Sequence, residues 1–390
     1  MSLVSTYTNA SIRGWTAQGS ANSNYPWDWK QRLSPSDDGI INAISGDGNY
    51  LVTAKGSNPD TIRILKTSSL GSGLWGLQQS LTPDPTLNTQ VSSISIDYTG
   101  STIVVGCVFV NGVANGRAYI FTRSGTTWSR QQTLSPGSNT YYGQDVAISQ
   151  DGNYIAVCNN VYSSTYTNQG IVYVYLKTGS TWALQQTIIS PNPALSGEFG
   201  ISLSFNSTGN ILAIGEPGFP VSAIGRTYIF TRSGTTWTQQ QMLYPDNGLI
   251  GDRFGRFVEL DSTGQYCVIL NSTTIGQAYV FYYSGGTWTQ LFYIKEPSYY
   301  YGSLAISDNA DTIALGAPQT NGGKGQVLMY RKYGSAWFLV QTILYRDVNY
   351  DHGYGYGLAI TNNSNNLIIS GDGPGGFIEA TDSYIASIFT

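Results

Sequence analysis

The chain has 390 residues, a net charge of −4 and only 11% charged residues, so it lacks the basic surface that nucleic acids and anionic membranes select. Serine, threonine, asparagine, glutamine, glycine and 29 tyrosines supply its polarity, which favours an extracellular or virion-surface protein. No apolar run reaches the roughly 18 residues that cross a bilayer, so membrane insertion is not expected. The three cysteines sit among apolar neighbours and are predicted to be buried thiols.

Residues 1–28 precede any repeat and form the first of two predicted regions. They are rich in serine, asparagine and threonine, with Tyr7, Trp15, Tyr25 and Trp27 among them. A disordered tail and an arm that becomes ordered on a partner both fit this composition. For an arm, the expected partner is a component of a particle or capsid. The second predicted region, residues 29–390, is a repeat array.

The array repeats a unit of roughly 50 residues. Two copies are nearly identical, GRAYIFTRSGTTWSRQQTL at 116–134 and GRTYIFTRSGTTWTQQQML at 225–243. Each copy reads as a strand, a tight turn, and a second strand that opens with tryptophan. The tryptophans that mark the units are Trp29, Trp75, Trp128, Trp182, Trp237, Trp288 and Trp337. Four short strand signals per unit, bounded by turn residues, predict an all-β fold, a β-propeller of four-stranded antiparallel blades.

The two ends of the array complement each other. Strand signals at 358–361, 367–370 and 384–390 give the last unit three strands, whereas residues 29–33, WKQRL, form a fourth strand without the first three. We therefore predict a seven-bladed propeller whose ring is closed by the N-terminal strand completing the C-terminal blade. Such closure removes the open sheet edges that invite aggregation. The recurrent tryptophans are predicted to pack between blades and not to bind ligand.

Two further motifs recur within the units. An aromatic–glycine pair precedes the innermost strand, and Gly-x-Pro follows some second strands, as at 215–217 and 316–318. The aromatic–glycine pairs are Tyr142-Gly143, Phe199-Gly200, Phe254-Gly255, Tyr301-Gly302 and Tyr356-Gly357. This pattern resembles the FG-GAP repeats of the integrin α-subunit propeller over residues 29–390. The resemblance implies a seven-bladed propeller that binds a partner at a cell or particle surface.

One departure from that family concerns calcium. Its calcium-binding repeats carry several acidic residues in the first hairpin loop, whereas the loops here have one, such as Asp97 or Asp151, or none. A hard cation prefers six or more oxygen ligands, several of them carboxylate. We therefore expect no metal and no other cofactor. Among these hairpin loops, Asp308 and Asp311 are the one close acidic pair and would be the site if a metal bound.

The sequence predicts a protein without enzymatic activity. Its single histidine, His352, lies in a loop and is read as a surface residue, although a serine or cysteine nucleophile would need it as base. A glycan-cleaving hydrolase remains an alternative, because glycosidases need only two carboxylates. The candidate carboxylates are Glu198, Glu216, Asp252, Glu259 and Asp347, and none recurs in a pattern that marks an acid or a base.

Tyrosine collects in the long connections between strands and not in the short turns. Loops on a rigid scaffold commonly carry binding residues, and tyrosine offers a broad ring with a polar tip. The predicted ligand-binding residues are Tyr299, Tyr300, Asp347, Tyr350, His352 and Tyr354. Tyr142, Tyr301 and Tyr356, which precede glycine, are assigned to packing. We expect a surface-binding or attachment propeller with a protein or glycan receptor. The alternative is a purely structural particle protein anchored by its N-terminal arm.

Overall fold

The structure, a computed structural model, describes residues 27–32, 41–54, 60–67, 75–137, 140–218, 224–271, 276–296, 301–320, 322–344, 353–362, 366–371 and 383–388. Within these ranges the chain forms 28 strands, which alternate with turns and connections. The strands make seven four-stranded sheets, and every strand pairing is antiparallel. The predicted all-β propeller of four-stranded antiparallel blades is confirmed.

Six blades are each built from four consecutive strands. The first described strand, β1 (Trp27–Arg32), precedes them. Blade 1 contains β2 (Ile41–Ile44), β3 (Tyr50–Ala54), β4 (Ile62–Thr67) and β5 (Trp75–Leu81). Blade 2 contains β6 (Thr89–Ile96), β7 (Thr102–Val110), β8 (Val113–Ser124) and β9 (Thr127–Leu134). Blade 3 contains β10 (Val146–Ile148), β11 (Tyr154–Asn159), β12 (Ile171–Thr178) and β13 (Thr181–Ile189).

The next three blades repeat this order. Blade 4 contains β14 (Leu203–Phe205), β15 (Ile211–Glu216), β16 (Arg226–Ser233) and β17 (Thr236–Leu243). Blade 5 contains β18 (Phe257–Leu260), β19 (Tyr266–Leu270), β20 (Gly276–Ser284) and β21 (Thr287–Glu296). Blade 6 contains β22 (Ser303–Ile306), β23 (Thr312–Ala317), β24 (Gln326–Tyr333) and β25 (Ala336–Leu344).

The remaining sheet, blade 7, is composite. It contains β26 (Gly357–Ile360), β27 (Asn366–Ser370) and β28 (Ser383–Ile388), and β1 pairs with β28 as its outer strand. This pairing joins the two incomplete ends that the sequence predicts to complement each other. The innermost strands β2, β6, β10, β14, β18, β22 and β26 contact one another in succession, and β26 also contacts β2. The sheets therefore surround a common channel.

A bulge in the outer strands fixes the register of β1. In blades 1–6, the residue three positions after the tryptophan is left out of the pairing, as at Gln78 after Trp75. In β1 the unpaired residue is Lys30, between the pairs made by Trp29 and Gln31. The residue equivalent to Trp75 is therefore Trp27. The prediction that this strand begins at Trp29 was wrong by two residues. The sequence WDWKQRL has tryptophans at two alternate positions, and the strand period alone does not distinguish them.

The recurrent tryptophans hold neighbouring blades together. The six with described side chains, at positions 75, 128, 182, 237, 288 and 337, are at most 5% exposed, which confirms their predicted packing role. Trp128 meets Tyr50 of the preceding blade edge to face, and Trp237 meets Tyr154 in the same way. Arg123 covers the first of these pairs and Arg232 the second, so each interface also contains a cation–π contact.

Glutamines make a second link between blades that was not predicted. Gln186 of blade 3 accepts the N–H of Trp237 at 2.8 Å and donates its amide to the carbonyl oxygen of the same residue at 3.0 Å. The same pair of bonds joins Gln79 to Trp128, Gln132 to Trp182, and Gln241 to Trp288. At the equivalent position of blade 5, the ring of Phe292 packs against that of Trp337 in a tilted arrangement instead. These bonds satisfy backbone groups at the exposed edge of each outer strand.

Candidate functional site

The propeller has two unlike faces. The short-turn face carries the turns between the first and second and between the third and fourth strands of each blade. The long-connection face carries the other connections, which hold most of the predicted binding residues. Tyr299, Tyr300, Asp347, Tyr350 and His352 lie outside the residues that the structure describes, so their role stays a prediction.

Tyr354 is described and is fully buried. It belongs to the core cluster between blades 6 and 7, and it forms a parallel bridge with Gly325. Phe199 and Phe254 form the same bridge in blades 4 and 5, so Tyr354 is the packing aromatic of blade 7. Its ring is therefore not available to a ligand. The prediction that Tyr356 is a packing residue was wrong, because its side chain is 40% exposed. The packing position lies two residues earlier, at Tyr354.

The aromatic–glycine pair has a geometric cause. Gly200, Gly255 and Gly355 have φ values of 95°, 94° and 100°, which L-residues with a side chain rarely adopt. A Cβ on Gly255 would lie 2.4 Å from the carbonyl oxygen of Arg226. The pair therefore marks a tight turn before the innermost strand, and this turn is a requirement of the blade.

Three connections on the long-connection face are joined to one another. We call residues 160–170, 190–200 and 244–254 the blade 3–5 loop cluster. The N–H of Ser196 donates to the carbonyl of Thr167 at 2.8 Å, and the N–H of Glu198 donates to that of Asn168 at 3.0 Å. The Arg253 guanidinium lies 2.9 Å from the Glu198 carboxylate. These bonds hold the three loops in one arrangement.

The backbone of the loop cluster is strained. Six non-glycine residues with positive φ occur in the described chain, and four of them are in this cluster. These are Asn168, Ser196, Glu198 and Arg253. Each costs of order 1 kcal/mol relative to glycine, and such residues concentrate at functional sites. In blade 7 the position equivalent to Glu198 and Arg253 is Gly353, which adopts the same φ without that cost.

Large apolar side chains project from the loop cluster into solvent. Leu249 is 65% exposed, Ile250 is 72% exposed and Leu195 is 56% exposed. Tyr166 and Tyr244 are also exposed on these loops. Exposed apolar side chains grouped in this way commonly mark interaction sites on soluble proteins. The sequence analysis drew attention to tyrosines in the long connections but missed the Leu249–Ile250 pair.

The candidate carboxylate Glu216 is buried beneath the cluster, where it accepts hydrogen bonds from its neighbours. The Arg226 guanidinium bonds both of its oxygens at 3.0 Å, and Ser190 donates its hydroxyl at 2.7 Å. Asp252 is also buried and accepts the N–H of Leu249 at 2.6 Å. Both carboxylates therefore support the loops. Asp347 lies outside the described ranges.

Two carboxylates line the central channel. Asp145 accepts the N–H of Leu203 at 2.8 Å, and Glu259 accepts the N–H of Ile306 at 3.0 Å, in each case from the next blade. Burial raises the pKa of Asp145 to about 6. Burial, reinforced by Asp145, raises the pKa of Glu259 to about 8. Serine hydroxyls make the equivalent contact at Ser95, Ser202 and Ser204.

The turns on the short-turn face form a chain of backbone hydrogen bonds around the channel mouth, with N–O distances of 2.9 to 3.1 Å. The successive donor and acceptor residues are Asp47 to Tyr98, Tyr98 to Gln150, Asp151 to Ser207, Ser207 to Ser262, Ser262 to Asp308, and Asp308 to Asn362. The side chain of Gln150 also reaches across the mouth and donates to Asp308 at 3.2 Å. The mouth is therefore bridged at this end.

The acidic pair Asp308 and Asp311 lies in a cleft of about 390 Å³ on this face. Arg331, Tyr333 and Asn362 are among the other lining residues. Burial raises the pKa of Asp308, and side-chain hydrogen bonds from Gln150, Asn362 and Ser262 oppose this rise. In the described part of the chain, no group of three or more histidine, cysteine, aspartate or glutamate side chains could hold a metal ion.

Two other features concern the chain as a whole. Cys107, Cys158 and Cys267 are buried free thiols, as predicted, and burial raises the pKa of each. Across the described ranges, the structure contains no helix with the length and apolar character needed to cross a membrane.

The comparisons with known proteins support the fold class. No family model matches the sequence, and no curated protein is similar to it. The chain is similar to the β-propeller domain of Cps50 (Swd1) from Myceliophteria thermophila, with a TM-score of 0.65 and 10% identity over 93% of this chain and 100% of that one. It is also similar to a chain of the Mitotic Checkpoint Complex, with a TM-score of 0.62 and 12% identity over 100% of both chains.

These results overturn the integrin-like family assignment. At 10% and 12% identity the similar structures establish the propeller fold alone. With no matching family model, the proposed FG-GAP membership is wrong. The aromatic–glycine pairs that suggested it follow from the turn geometry of the blades, where Gly200 and Gly255 adopt positive φ.

Proposed function

We propose that this protein is a non-enzymatic binding propeller that holds a protein partner on the blade 3–5 loop cluster. The observation that carries this proposal is the exposure of Leu195, Leu249 and Ile250 on loops that are joined by hydrogen bonds and by the Glu198–Arg253 ion pair. Apolar side chains on a preformed surface lose little conformational entropy on binding, so their burial contributes directly to affinity.

The charge of the cluster also fits a protein partner. Arg253 pairs with Glu198, Arg226 pairs with Glu216 and Asp252 is buried, so Asp246 is the one exposed carboxylate of the cluster that forms no ion pair among the described residues. Interface centres are typically depleted of charge and enriched in aromatic residues, which Tyr166 and Tyr244 provide here. One similar structure is itself a chain of a multiprotein complex, the Mitotic Checkpoint Complex.

A glycan receptor is the second candidate. The exposed rings of Tyr166 and Tyr244 favour it, since tyrosine contacts sugar faces and hydrogen-bonds through its hydroxyl. The low charged fraction of 11% supports a setting outside the cell or on a virus particle for either ligand. Tyr299, Tyr300 and Tyr350, predicted from the sequence to bind a ligand, stay candidates for the same role.

A photo-cross-linking residue at position 250 tests the protein partner. We expect a discrete adduct in extract of the native source, competed by unlabelled protein and lost in Leu249→Asp. The matched control places the cross-linker at Leu77, which is 49% exposed on the outer strand of blade 1. Equal adducts at both positions would refute the proposal. Binding to a glycan array that disappears in Tyr166→Ala would favour the second candidate.

A further inference from the structure

We infer that the outer edge of blade 6 pairs with the same edge of a second copy of this chain, so that two β25 strands form an antiparallel ladder. β25 is the last strand in the order of its sheet and lies on the circumference of the ring. The loop cluster belongs to other blades, so the inference is independent of the proposed function.

The outer edge of blade 6 lacks the glutamine that covers the edge in other blades. Trp337 has the same register on β24 as Trp237 has on β16, so its N–H and carbonyl point out of the sheet. Gln186 bonds both groups of Trp237, whereas Phe292 holds the glutamine position before Trp337. No side chain of the described residues hydrogen-bonds to the main chain of Trp337, whose indole alone is bonded. The edge therefore offers an unpaired donor and acceptor to an added strand.

Two large aromatic side chains stand beside this edge, where other blades have small or polar ones. Tyr333 ends β24 and is 61% exposed, and Phe338 follows Trp337 and is 54% exposed. Their ring centroids are 6.1 Å apart. In blades 2–5 the residues that match Tyr333 are Ser124, Thr178, Ser233 and Ser284, and those that match Phe338 are Ser129, Ala183, Thr238 and Thr289. The blade fold therefore does not require the two rings, and an interaction explains them.

Symmetry favours a second copy as the occupant. Copies related by a twofold axis present the same surface to each other, and their β25 strands then run antiparallel, as paired strands do throughout the described blades. The strand supplies its own complement, because the unpaired N–H and carbonyl of Trp337 occur in both copies. An identical edge therefore satisfies the polar groups that the missing glutamine leaves unpaired.

Charge is compatible with this pairing. β25 carries no charged side chain, so no like charges meet within the ladder. Arg331 and Lys332 lie one strand further in, which places those of the two copies about 14 Å apart, beyond the Debye length at physiological salt. Lys332 also contacts the hydroxyl of Tyr266 at 2.7 Å and lies over that ring, so it is directed into blade 5.

The size of the surface sets the expected affinity. Aromatic side chains bury about 150–250 Å² each, so the half-exposed rings of Tyr333 and Phe338 offer on the order of 200 Å² per copy. Leu339, which is 46% exposed, adds to them. A single strand edge with these side chains belongs to the class of small interfaces, below about 1,200 Å² in total. We therefore expect a dimer that dissociates readily on dilution.

Sedimentation equilibrium of the full-length protein tests the inference. We expect a monomer–dimer equilibrium with a dissociation constant on the order of 1–100 μM. Phe292→Gln gives Trp337 the glutamine that Gln241 supplies to Trp288, and it should weaken the dimer at least about tenfold. Tyr333→Ser with Phe338→Thr gives blade 6 the residues of blade 4 and should have the same effect. The fold already accommodates each of these side chains in another blade.

Leu339→Arg and Leu184→Arg form a matched pair of variants. Leu184 is the equivalent residue of blade 3 and is 52% exposed, but Gln132 covers Trp182 on that strand. Arginine already occupies this position in blade 2, as Arg130. Leu339→Arg should weaken the dimer at least about tenfold, because it brings two like charges to the paired edge. Leu184→Arg should leave the dissociation constant unchanged.

Hydrogen exchange locates the interface, because the amide of Trp337 should exchange more slowly as the protein concentration rises. A single monomeric species at concentrations up to about 1 mM would overturn the inference. A dimer that persists unchanged in both Phe292→Gln and Leu339→Arg would also overturn it, since the interface would then lie elsewhere. Association that continues beyond the dimer would contradict the twofold arrangement, which is closed.

Discussion

Replacing Glu259 by glutamine should make the protein more stable at alkaline pH and leave its stability unchanged at acidic pH. The pKa of Glu259 rises from 4.5 to about 8 on folding, chiefly because burial disfavours its charged form. The folded protein therefore keeps the proton between these values while the unfolded chain releases it. The stability that the protonated Glu259 carboxyl contributes is therefore complete below pH 4.5 and is lost as the pH rises through 8.

The size of the effect follows from that shift. A pKa that rises by roughly 3.5 on folding corresponds to a change of at most about 5 kcal/mol in the free energy of unfolding. Glu259 is partly exposed to the channel, and water there reduces the effect, so we expect about 2–5 kcal/mol. Glutamine keeps an oxygen that can accept the N–H of Ile306 and carries no proton to lose.

Unfolding in urea at pH 4 and pH 9 measures this difference. Glu259→Gln should match the wild type at pH 4 and exceed it at pH 9. The control Glu198→Gln removes a half-buried carboxylate that is paired with Arg253, and it should give no alkaline gain. The same difference between wild type and Glu259→Gln at both pH values would refute the assignment of this proton.

Four further predictions address the ring and its interfaces. Deleting residues 1–33 should lower the melting temperature far more than deleting 1–24, because only the longer deletion removes β1; equal melting would exclude a stabilising role for the β1–β28 pairing. Trp128→Ala and Trp237→Ala should each cost about 3–5 kcal/mol in denaturant unfolding, and an unchanged melting curve would contradict their burial. Gln186→Ala should cost about 1–3 kcal/mol by leaving the Trp237 backbone unpaired, whereas exposed Gln239→Ala should be neutral. EDTA should leave the melting temperature unchanged; a loss restored by calcium would implicate Asp308 and Asp311.

The blade architecture could be predicted from the sequence because each unit repeats the same local signals. The near-identical copies at 116–134 and 225–243 mark the outer hairpin, and the incomplete ends indicate the pairing of β1 with β28. Both register errors arose where the sequence alternates two aromatics two residues apart. The strand period does not distinguish Trp27 from Trp29, or Tyr354 from Tyr356. The bulge in β1 decides the first pair, and the bridge between Gly325 and Tyr354 decides the second.

The candidate site could be predicted less completely from the sequence than the fold. The Glu198–Arg253 pair joins residues 55 positions apart, and nothing local marks the two as partners. Leu249 and Ile250 look like ordinary core residues until the loop around them is placed on the surface. The glutamine links had a visible signal, since Gln79, Gln132 and Gln186 each stand four residues after the tryptophan of a unit.

The composite blade also has a consequence for biosynthesis. β1 is translated before the other described strands, but its partner β28 is translated after all of them, with Trp27 opposite Ile388. At roughly 5–20 residues per second, β1 waits on the order of 20–70 s with an unpaired edge. During that interval, the nascent chain exposes a strand that a second nascent chain could pair with. Neighbouring ribosomes on one message are therefore where strand exchange between copies would arise, and slower synthesis should increase it.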